Sequence, residues 1–301
     1  MRVIIGSRGS QLALWQARHI EARLQSLGCE TAIEIIKTTG DRITGVALSK
    51  VGSKGLFTKE LEDALLEGQI HLAVHSLKDM PTELPAGLTL AAIPEREDPR
   101  DALLGRTLAQ LEPGAIVGTS SLRRSAQLAA LRPDLTIESI RGNLDTRIRK
   151  MDEGQYQAIL LAAAGLRRLG WESRIAEVLE LETMCPAVGQ GALAVETTVD
   201  SPAAALCASL NHAPTRAAVT AERALLAALG GGCQVPIGAH AVIEGSTLHL
   251  HAVVASPDGS EIVRSQASGE AEDAASLGAG VAAQLRRQGA DRILGGAASA
   301  E

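Results

Sequence analysis

Three short stretches of the chain set hydroxyl or amide side chains beside arginine. They read Ser7-Arg8-Gly9-Ser10, Thr119-Ser120-Ser121-Leu122-Arg123-Arg124 and Arg141-Gly142-Asn143-Leu144-Asp145-Thr146-Arg147. Each follows a short apolar run and precedes a helical pattern, so each reads as a strand-to-helix junction. The first turn of a helix offers free N–H groups and partial positive charge, which attract anions. The dipole contributes only about 0.3–1 kcal/mol per exposed anion. Arginine adds a bidentate grip suited to carboxylate or phosphate. Any one junction is equally well a capped helix with a solvated arginine. Three of them in a strand–helix alternation point to the carboxyl ends of the strands, where ligands bind in such folds. The ligand they suit carries several anionic groups.

A fourth strand end reads His75-Ser76-Leu77-Lys78-Asp79. Lys78 and Asp79 are either a surface ion pair, worth about 0–1 kcal/mol, or a carboxylate inside a cationic cleft. Nearby positive charge would keep that carboxylate ionised. It would then be a poor general acid and a good stabiliser of a developing substrate cation. Cys233 sits in Gly230-Gly231-Gly232-Cys233-Gln234-Val235-Pro236, where glycines leave room for close approach. It is a candidate nucleophile or attachment point, with no histidine partner placed by the sequence. Cys29, Cys185 and Cys207 read as inert. The loop Lys50-Val51-Gly52-Ser53-Lys54-Gly55 lacks the spacing of a nucleotide-binding loop and is either solvated or a lid bearing two lysines.

The elements that must position these groups alternate. Strands are expected over residues 3–6, 32–38, 71–75, 115–118, 135–140 and 158–162, with helices over 10–27, 57–67, 121–131 and 143–152. That alternation implies mostly parallel sheets with helices on their faces. Residues 39–55 read as a mobile loop, and the charged run 95–100 as a domain boundary. The last third changes character: a helix over 214–229, about three antiparallel strands over 237–270, then a helix near 272–288.

The chain has 301 residues, which favours two or three domains. With 46% hydrophobic and 21% charged residues it is globular and not disordered. No apolar run approaches the roughly 20 residues of a membrane span, and the N-terminal residues do not read as an export signal. The scattered cysteines suggest neither disulfides nor a zinc site, so no metal is expected and a cytoplasmic setting is. A net charge of -6 and only four aromatic residues, Trp15, Phe57, Tyr156 and Trp171, argue against nucleic acid. The charge is local, so an anionic ligand must be held by a local pocket.

In ordered blocks the sequence resembles the porphobilinogen deaminase (hydroxymethylbilane synthase) family. The blocks are Arg8 with Ala13-Leu14-Trp15-Gln16, Gly52-Ser53-Lys54-Gly55-Leu56-Phe57, Ala73 to Asp79, Glu95 to Asp101, Gly118 to Arg124, Arg141-Gly142-Asn143, Pro186 to Gly191 and Gly231 to Gly238. The resemblance covers nearly the whole chain. It implies two periplasmic-binding-protein-like α/β domains facing across a cleft, with mostly parallel sheets, plus a small C-terminal α+β domain. The expected division is residues 1–96 with 192–211, residues 97–191, and residues 212–301.

The resemblance implies a transferase of tetrapyrrole biosynthesis. Such an enzyme joins four porphobilinogen units head to tail into hydroxymethylbilane, with loss of ammonia each time. It is primed by a dipyrromethane cofactor joined by a thioether to Cys233. Asp79 matches the family's catalytic carboxylate, which holds pyrrole N–H groups and stabilises positive charge. Lys54, Ser76, Lys78, Thr119, Ser120, Ser121, Arg123, Arg124 and Gln190 match the cofactor side. Arg8, Ser10, Arg141, Asn143, Arg147 and Arg168 match the substrate side. Lys50 and Phe57 match the lid and the residue beside the pyrroles. Gln11 stands where proline is common in the family, and Ser53 where glycine is. Asp145 either pairs with Arg141 or Arg147 or points outward from the first turn of its helix. A cytoplasmic monomer acting on a small molecule is expected, with no nucleic-acid or membrane partner. The competing readings are a non-catalytic anion-binding protein and a thiol acyltransferase.

Overall fold

The structure is a computed structural model that describes residues 2–42, 56–231 and 235–299. Lys50, Lys54, Cys233 and most of the expected 39–55 loop lie outside the described residues. The chain divides into two compact units, Met1–Glu97 with Ala192–Arg216, and Asp98–Gly191 with Ala217–Glu301. The first division falls within the charged run read as a boundary.

The first unit holds strands β1 (Arg2–Ser7), β2 (Glu30–Ile35), β3 (Leu72–Ser76), β4 (Leu88–Ala92) and, returning late in the chain, β10 (Leu193–Thr198). They stand in the order β2-β1-β3-β10-β4. β1 is parallel to β2 and β3, and β10 runs antiparallel between β3 and β4. Its helices are α1 (Gln11–Ser26), the short α2 (Thr39–Arg42), α3 (Lys59–Leu66) and α7 (Pro202–Cys207). Ile20 and Leu24 of α1 and Cys207 of α7 share a core with Val3, Ile5, Leu72 and Val195. Leu61 and Leu65 of α3 share a second core with Ile70, Ala73 and Leu88.

The second unit repeats this plan. Strands β5 (Asp101–Leu104), β6 (Ile116–Gly118), β7 (Thr136–Glu138), β8 (Ala158–Ala162) and β9 (Ile175–Val178) stand in the order β7-β6-β8-β5-β9. β6 is parallel to β7 and β8, and β5 is antiparallel between β8 and β9. Helices α4 (Leu122–Leu131), α5 (Leu144–Asp152) and α6 (Ala163–Arg168) accompany them. Both sheets are therefore α/β and mixed. The expected mostly parallel arrangement is present, with four of five strands in each sheet running the same way, and the antiparallel strand is in each case the first one after the chain has crossed between units.

A separate antiparallel sheet, β11 (Ile237–Glu244), β12 (Thr247–Ala255) and β13 (Ile262–Glu270), forms the small α+β part of the second unit. Helices α8 (Ala213–Ala228), α9 (Ala274–Arg287) and α10 (Ala290–Ser299) go with it. Leu225 of α8, Val281 and Leu285 of α9 and Ile293 of α10 share one apolar core with Leu248, Leu250 and Val254 of β12. Helix α8 leads directly toward the cysteine loop, so its packing bears on the site.

The α8–α9 contact needs a glycine. A Cβ on Gly278 would lie 2.2 Å from the Ala221 carbonyl oxygen and 2.9 Å from Ala224 Cβ. Gly278→Ala is expected to cost about 1–3 kcal/mol through this backbone clash. Gly280→Ala, on the same helix with nothing within 4 Å, is expected to be neutral or to gain up to about 1 kcal/mol. Denaturant midpoints of the two variants check the pair.

Candidate active site

Strand β1 ends at Ser7, and the chain turns into α1 through Arg8, Gly9 and Ser10. Ser10 caps the helix by accepting from the Ala13 N–H at 3.3 Å. Parallel pairing sets the end of β3 beside the end of β1. There Ser76 accepts from Gln16 Nε2 at 2.8 Å, and a single 3₁₀ turn, Leu77–Asp79, follows. The two strand ends line a small open pocket, with a cavity volume of about 70 Å³, whose walls include Arg8, Ser10, Gln16, Phe57, His75, Ser76 and Asp79. The Arg8 guanidinium stands 4.1 Å above the centre of the Phe57 ring, a cation–π arrangement that steers the side chain. Asp79 is exposed and Lys78 half-buried.

In the second unit the two remaining junctions occupy neighbouring strand ends, because β6 and β7 are paired in parallel. Thr119 Oγ1 accepts from the Ser121 N–H at 3.2 Å, and Ser120 Oγ donates to the Ile140 carbonyl at 2.5 Å. Ser121 caps α4 and Asn143 caps α5, but neither side chain makes a capping bond. Gly142 holds φ +115, and a Cβ there would lie 2.6 Å from Thr146 Cγ2. Glycine is thus required at this turn. Arg147 Nε donates to the Gly142 carbonyl at 2.7 Å, and Lys150 donates to the Arg141 carbonyl at 3.2 Å. Asp145 is exposed in the first turn of α5, the outward-pointing alternative. Arg168 is half-buried and donates to the Gly191 carbonyl at 2.6 Å.

Arg123 and Arg124 are buried, at 4% and 6% exposure, and both close on Asp101, which is sealed from solvent. Arg123 reaches Asp101 Oδ2 at 2.7 Å; Arg124 places two nitrogens on Oδ1, at 3.0 and 2.7 Å. Gln190 adds a bond to Oδ1 at 2.8 Å. Burial alone would raise the Asp101 carboxyl, but the two guanidiniums override it and hold it far below the usual carboxylate range. Two cations against one anion leave the cluster with net positive charge. Arg123 Nε is buried with no hydrogen-bond partner among the described residues, a donor that a bound anion would satisfy.

The segment from Cys185 to Gly191 ties this cluster to the C-terminal sheet. The Cys185 carbonyl accepts from Arg123 at 2.7 Å and from Gln127 at 3.0 Å. The Ala239 N–H donates to the Pro186 carbonyl at 2.9 Å. Glu222, on α8, accepts from the Gly189 N–H at 2.7 Å and from the Ala241 N–H at 2.8 Å. The strand that leaves the cysteine loop is thereby held to the loop carrying Gln190. Burial pushes the Cys185 and Cys207 thiols up to about 12, which leaves them inert as nucleophiles.

Two family models cover most of the chain. Residues 3–205 match porphobilinogen deaminase, dipyromethane cofactor binding domain, and residues 216–287 match porphobilinogen deaminase, C-terminal domain. The chain belongs to the porphobilinogen deaminase family. A porphobilinogen deaminase of Methylobacillus flagellatus is 53% identical over 298 residues, 97% of this chain and 96% of that one. One of Chromobacterium violaceum is 52% identical over 299 residues, 97% of each chain. Among solved structures, a TRAP periplasmic solute binding protein from Desulfovibrio salexigens aligns with a TM-score of 0.43 and 11% identity, over 70% of this chain and 72% of that one.

For a porphobilinogen deaminase, the sequence reading passed over two site residues. Asp101 neutralises the arginine pair, and Gln16 holds Ser76. Asp101 had a signal, since a lone aspartate heading an apolar strand with two adjacent arginines elsewhere needs an explanation. Gln16 had only its place in the block that carries the resemblance, nearly two turns beyond the Ser10 cap.

Removing the Asp101 charge leaves two buried guanidiniums unpaired. Asp101→Asn is expected to cost about 3–5 kcal/mol at pH 7. A carboxyl depressed in the folded state contributes stability that is complete above its unfolded value, near about 3.9, and is lost only as pH falls through the folded value. The gap between wild type and variant, read from denaturation curves, is therefore expected to hold from pH 7 to about pH 4 and to close at lower pH.

Proposed function

We propose that this chain polymerises four porphobilinogen molecules head to tail into linear hydroxymethylbilane, releasing ammonia at each addition, as a step of tetrapyrrole biosynthesis. The observation that carries this reading is the sharing of one pocket by Arg8, an anion gripper, and Asp79, an exposed carboxylate. Porphobilinogen carries an acetate and a propionate, which suit Arg8 and the α1 N-terminus capped by Ser10. Its pyrrole N–H suits Asp79. As ammonia departs, positive charge develops on the ring system, and an ionised carboxylate lowers the energy of that state more than of the ground state. Phe57 offers an apolar ring face beside the same pocket.

The dipyrromethane, attached through Cys233, supplies the pyrrole carbon to which the first unit is joined. The donor set of the second unit suits that group: the Thr119, Ser120 and Ser121 turn, the net-positive Arg123–Arg124–Asp101 cluster and its unpartnered Nε, steadied by Gln190. Ser76, Lys78 and Lys54 belong with the cofactor. Arg141, Asn143, Arg147 and Arg168 hold carboxylates of the incoming or growing chain, and Lys50 belongs to a lid. The C-terminal sheet and helices, residues 212–301, form a third domain whose task is to carry Cys233. No described helix is long and apolar enough to cross a membrane, and the reading is of a cytoplasmic monomer.

Asp79→Asn is expected to lower kcat by about 100-fold or more, while the substrate still docks with KM within a few-fold. A variant with near-normal turnover removes the role from Asp79. Intact mass of the purified chain is expected to exceed the sequence mass by two linked pyrrole units. Cys233→Ser is expected to lack that increment and to be inactive. An unmodified, active wild type refutes the attachment.

A further inference from the structure

Gln127 lies buried on the helix that carries the arginine pair, one turn beyond Arg123. Its amide engages both backbone groups of Cys185. Oε1 accepts from the Cys185 N–H at 2.8 Å, and Nε2 donates to the Cys185 carbonyl at 3.0 Å and to the Arg123 carbonyl at 3.2 Å. One side chain thus supplies the paired bonds that a neighbouring strand would give. A carboxylate of the same length would accept from the N–H but could not donate to the carbonyl.

The Cys185 carbonyl is a meeting point. It accepts from Gln127 and also from Arg123 Nη1 at 2.7 Å, and the same Arg123 nitrogen holds Asp101 Oδ2. Its place therefore fixes one side of the guanidinium whose Nε is buried without a partner among the described residues. On its other side the Cys185 segment lies against β11. A Cβ on Gly238 would stand 2.8 Å from the Cys185 carbonyl oxygen, and the Ala239 N–H takes the next carbonyl, that of Pro186. β11 begins at Ile237, just after the cysteine loop. The turn between β12 and β13 also comes down on α4: a Cβ on Gly259 would lie 2.6 Å from the Ala126 carbonyl oxygen and from the Ala130 nitrogen. The helix bearing Arg123 thus reaches the C-terminal sheet directly at the Gly259 turn and, through Gln127, by way of Cys185. Van der Waals contact at the turn limits approach but sets no direction, whereas the Gln127 bonds do.

We propose that Gln127 is a positioning residue of the polymerisation: by clasping Cys185 between α4 and β11, it sets the register between the strand that leaves the cysteine loop and the arginine pair. This rests on the reading of Cys233 as the attachment point and of the arginine cluster as the anion site of the cofactor. A polyanion tethered at its sulfur and gripped at its carboxylates presents its reacting carbon in one place only while the two anchors keep a fixed separation. Loosening the clasp moves that carbon, and a misplacement of about 1 Å costs on the order of 100-fold in rate. The incoming unit is gripped by Arg8 and the start of α1, which Gln127 does not touch. The loss therefore falls on kcat and spares KM.

Gln127→Ala removes all three bonds, and Gln127→Met removes them while keeping the bulk of the side chain. Both are purified as holoenzyme, the loaded fraction is read by intact mass, and kcat with porphobilinogen is expressed per loaded chain. Each is expected to lower kcat about tenfold or more, with KM within about twofold of wild type. Leu24→Ala, which opens a cavity in the apolar core of the first unit, reports what lost stability alone does. Assayed below its unfolding transition, it is expected to load fully and to keep kcat within about twofold. A folded Gln127 variant without the mass increment, beside a loaded Leu24→Ala, also supports the proposal, since the primer then finds no seat. Gln127→Met decides if Gln127→Ala does not fold. A loaded Gln127 variant with kcat within about twofold of wild type overturns the proposal, as does a defect confined to KM or one matched by Leu24→Ala. Near-normal Gln127 variants beside an unmodified, inactive Cys233→Ser sink this inference alone. An active wild type with no mass increment sinks the attachment reading, whatever the Gln127 variants do.

Discussion

Asp101 with its two guanidiniums is the interaction on which the second unit's site depends. Three ionised groups out of water are expensive, and such clusters often contribute less stability than an apolar replacement would. Their value here is positional. Arg123 and Arg124 are consecutive on one helix, and in water their side chains would spread apart. One carboxylate with two oxygens draws both inward, while Gln190 bonds the same carboxylate and the Cys185 carbonyl takes one Arg123 nitrogen. What is left is a fixed excess of positive charge beside the hydroxyl-rich start of α4. A preorganised site of this kind binds an anion without first having to order long side chains.

The first unit uses a related device with different residues. β5 and β10 are the antiparallel strands of their sheets, and each inserts one sealed carboxylate: Asp101 from β5 and Glu196 from β10. Each meets a nitrogen-bearing side chain from neighbouring elements, the arginine pair in one case and His75 in the other. Both carboxylates therefore sit on strands that enter just after the chain has passed from the other unit. The two sheets share a strand order that no sequence repeat reveals, because the shared feature is a pairing pattern and not a residue pattern.

Much of the architecture was legible. Ser10 as a cap and Gly28, at φ +81, as a stop bracketed α1. Alternation with turns near Gly245 and Gly259 disclosed β11 to β13, and the strand over 158–162 was read at its true bounds. β4, β5, β9 and β10 were missed. A four-residue run such as Asp101-Ala-Leu-Leu has no measurable period, and a short apolar run does not tell strand from helix. The expectation of mostly parallel sheets holds, since four of the five strands in each sheet run the same way, and the one antiparallel strand of each, β10 and β5, is among those that were missed.

The amino-acid sequence by itself determined the chemistry on offer: arginine and hydroxyl groups at helix starts, Asp79 after a strand, a cysteine among glycines, and ordered blocks that mark the family. Those are local properties, set by residue type and by spacing along a few turns of chain. Tertiary structure alone decided which of these groups are solvent-facing and which are already engaged. It buried Arg123 and Arg124 on Asp101 and left Asp79 open. It also brought His75 and Glu196, from two strands far apart in sequence, into one buried pair. Burial and charge pairing depend on partners distant in sequence, and no local pattern encodes the distance between them.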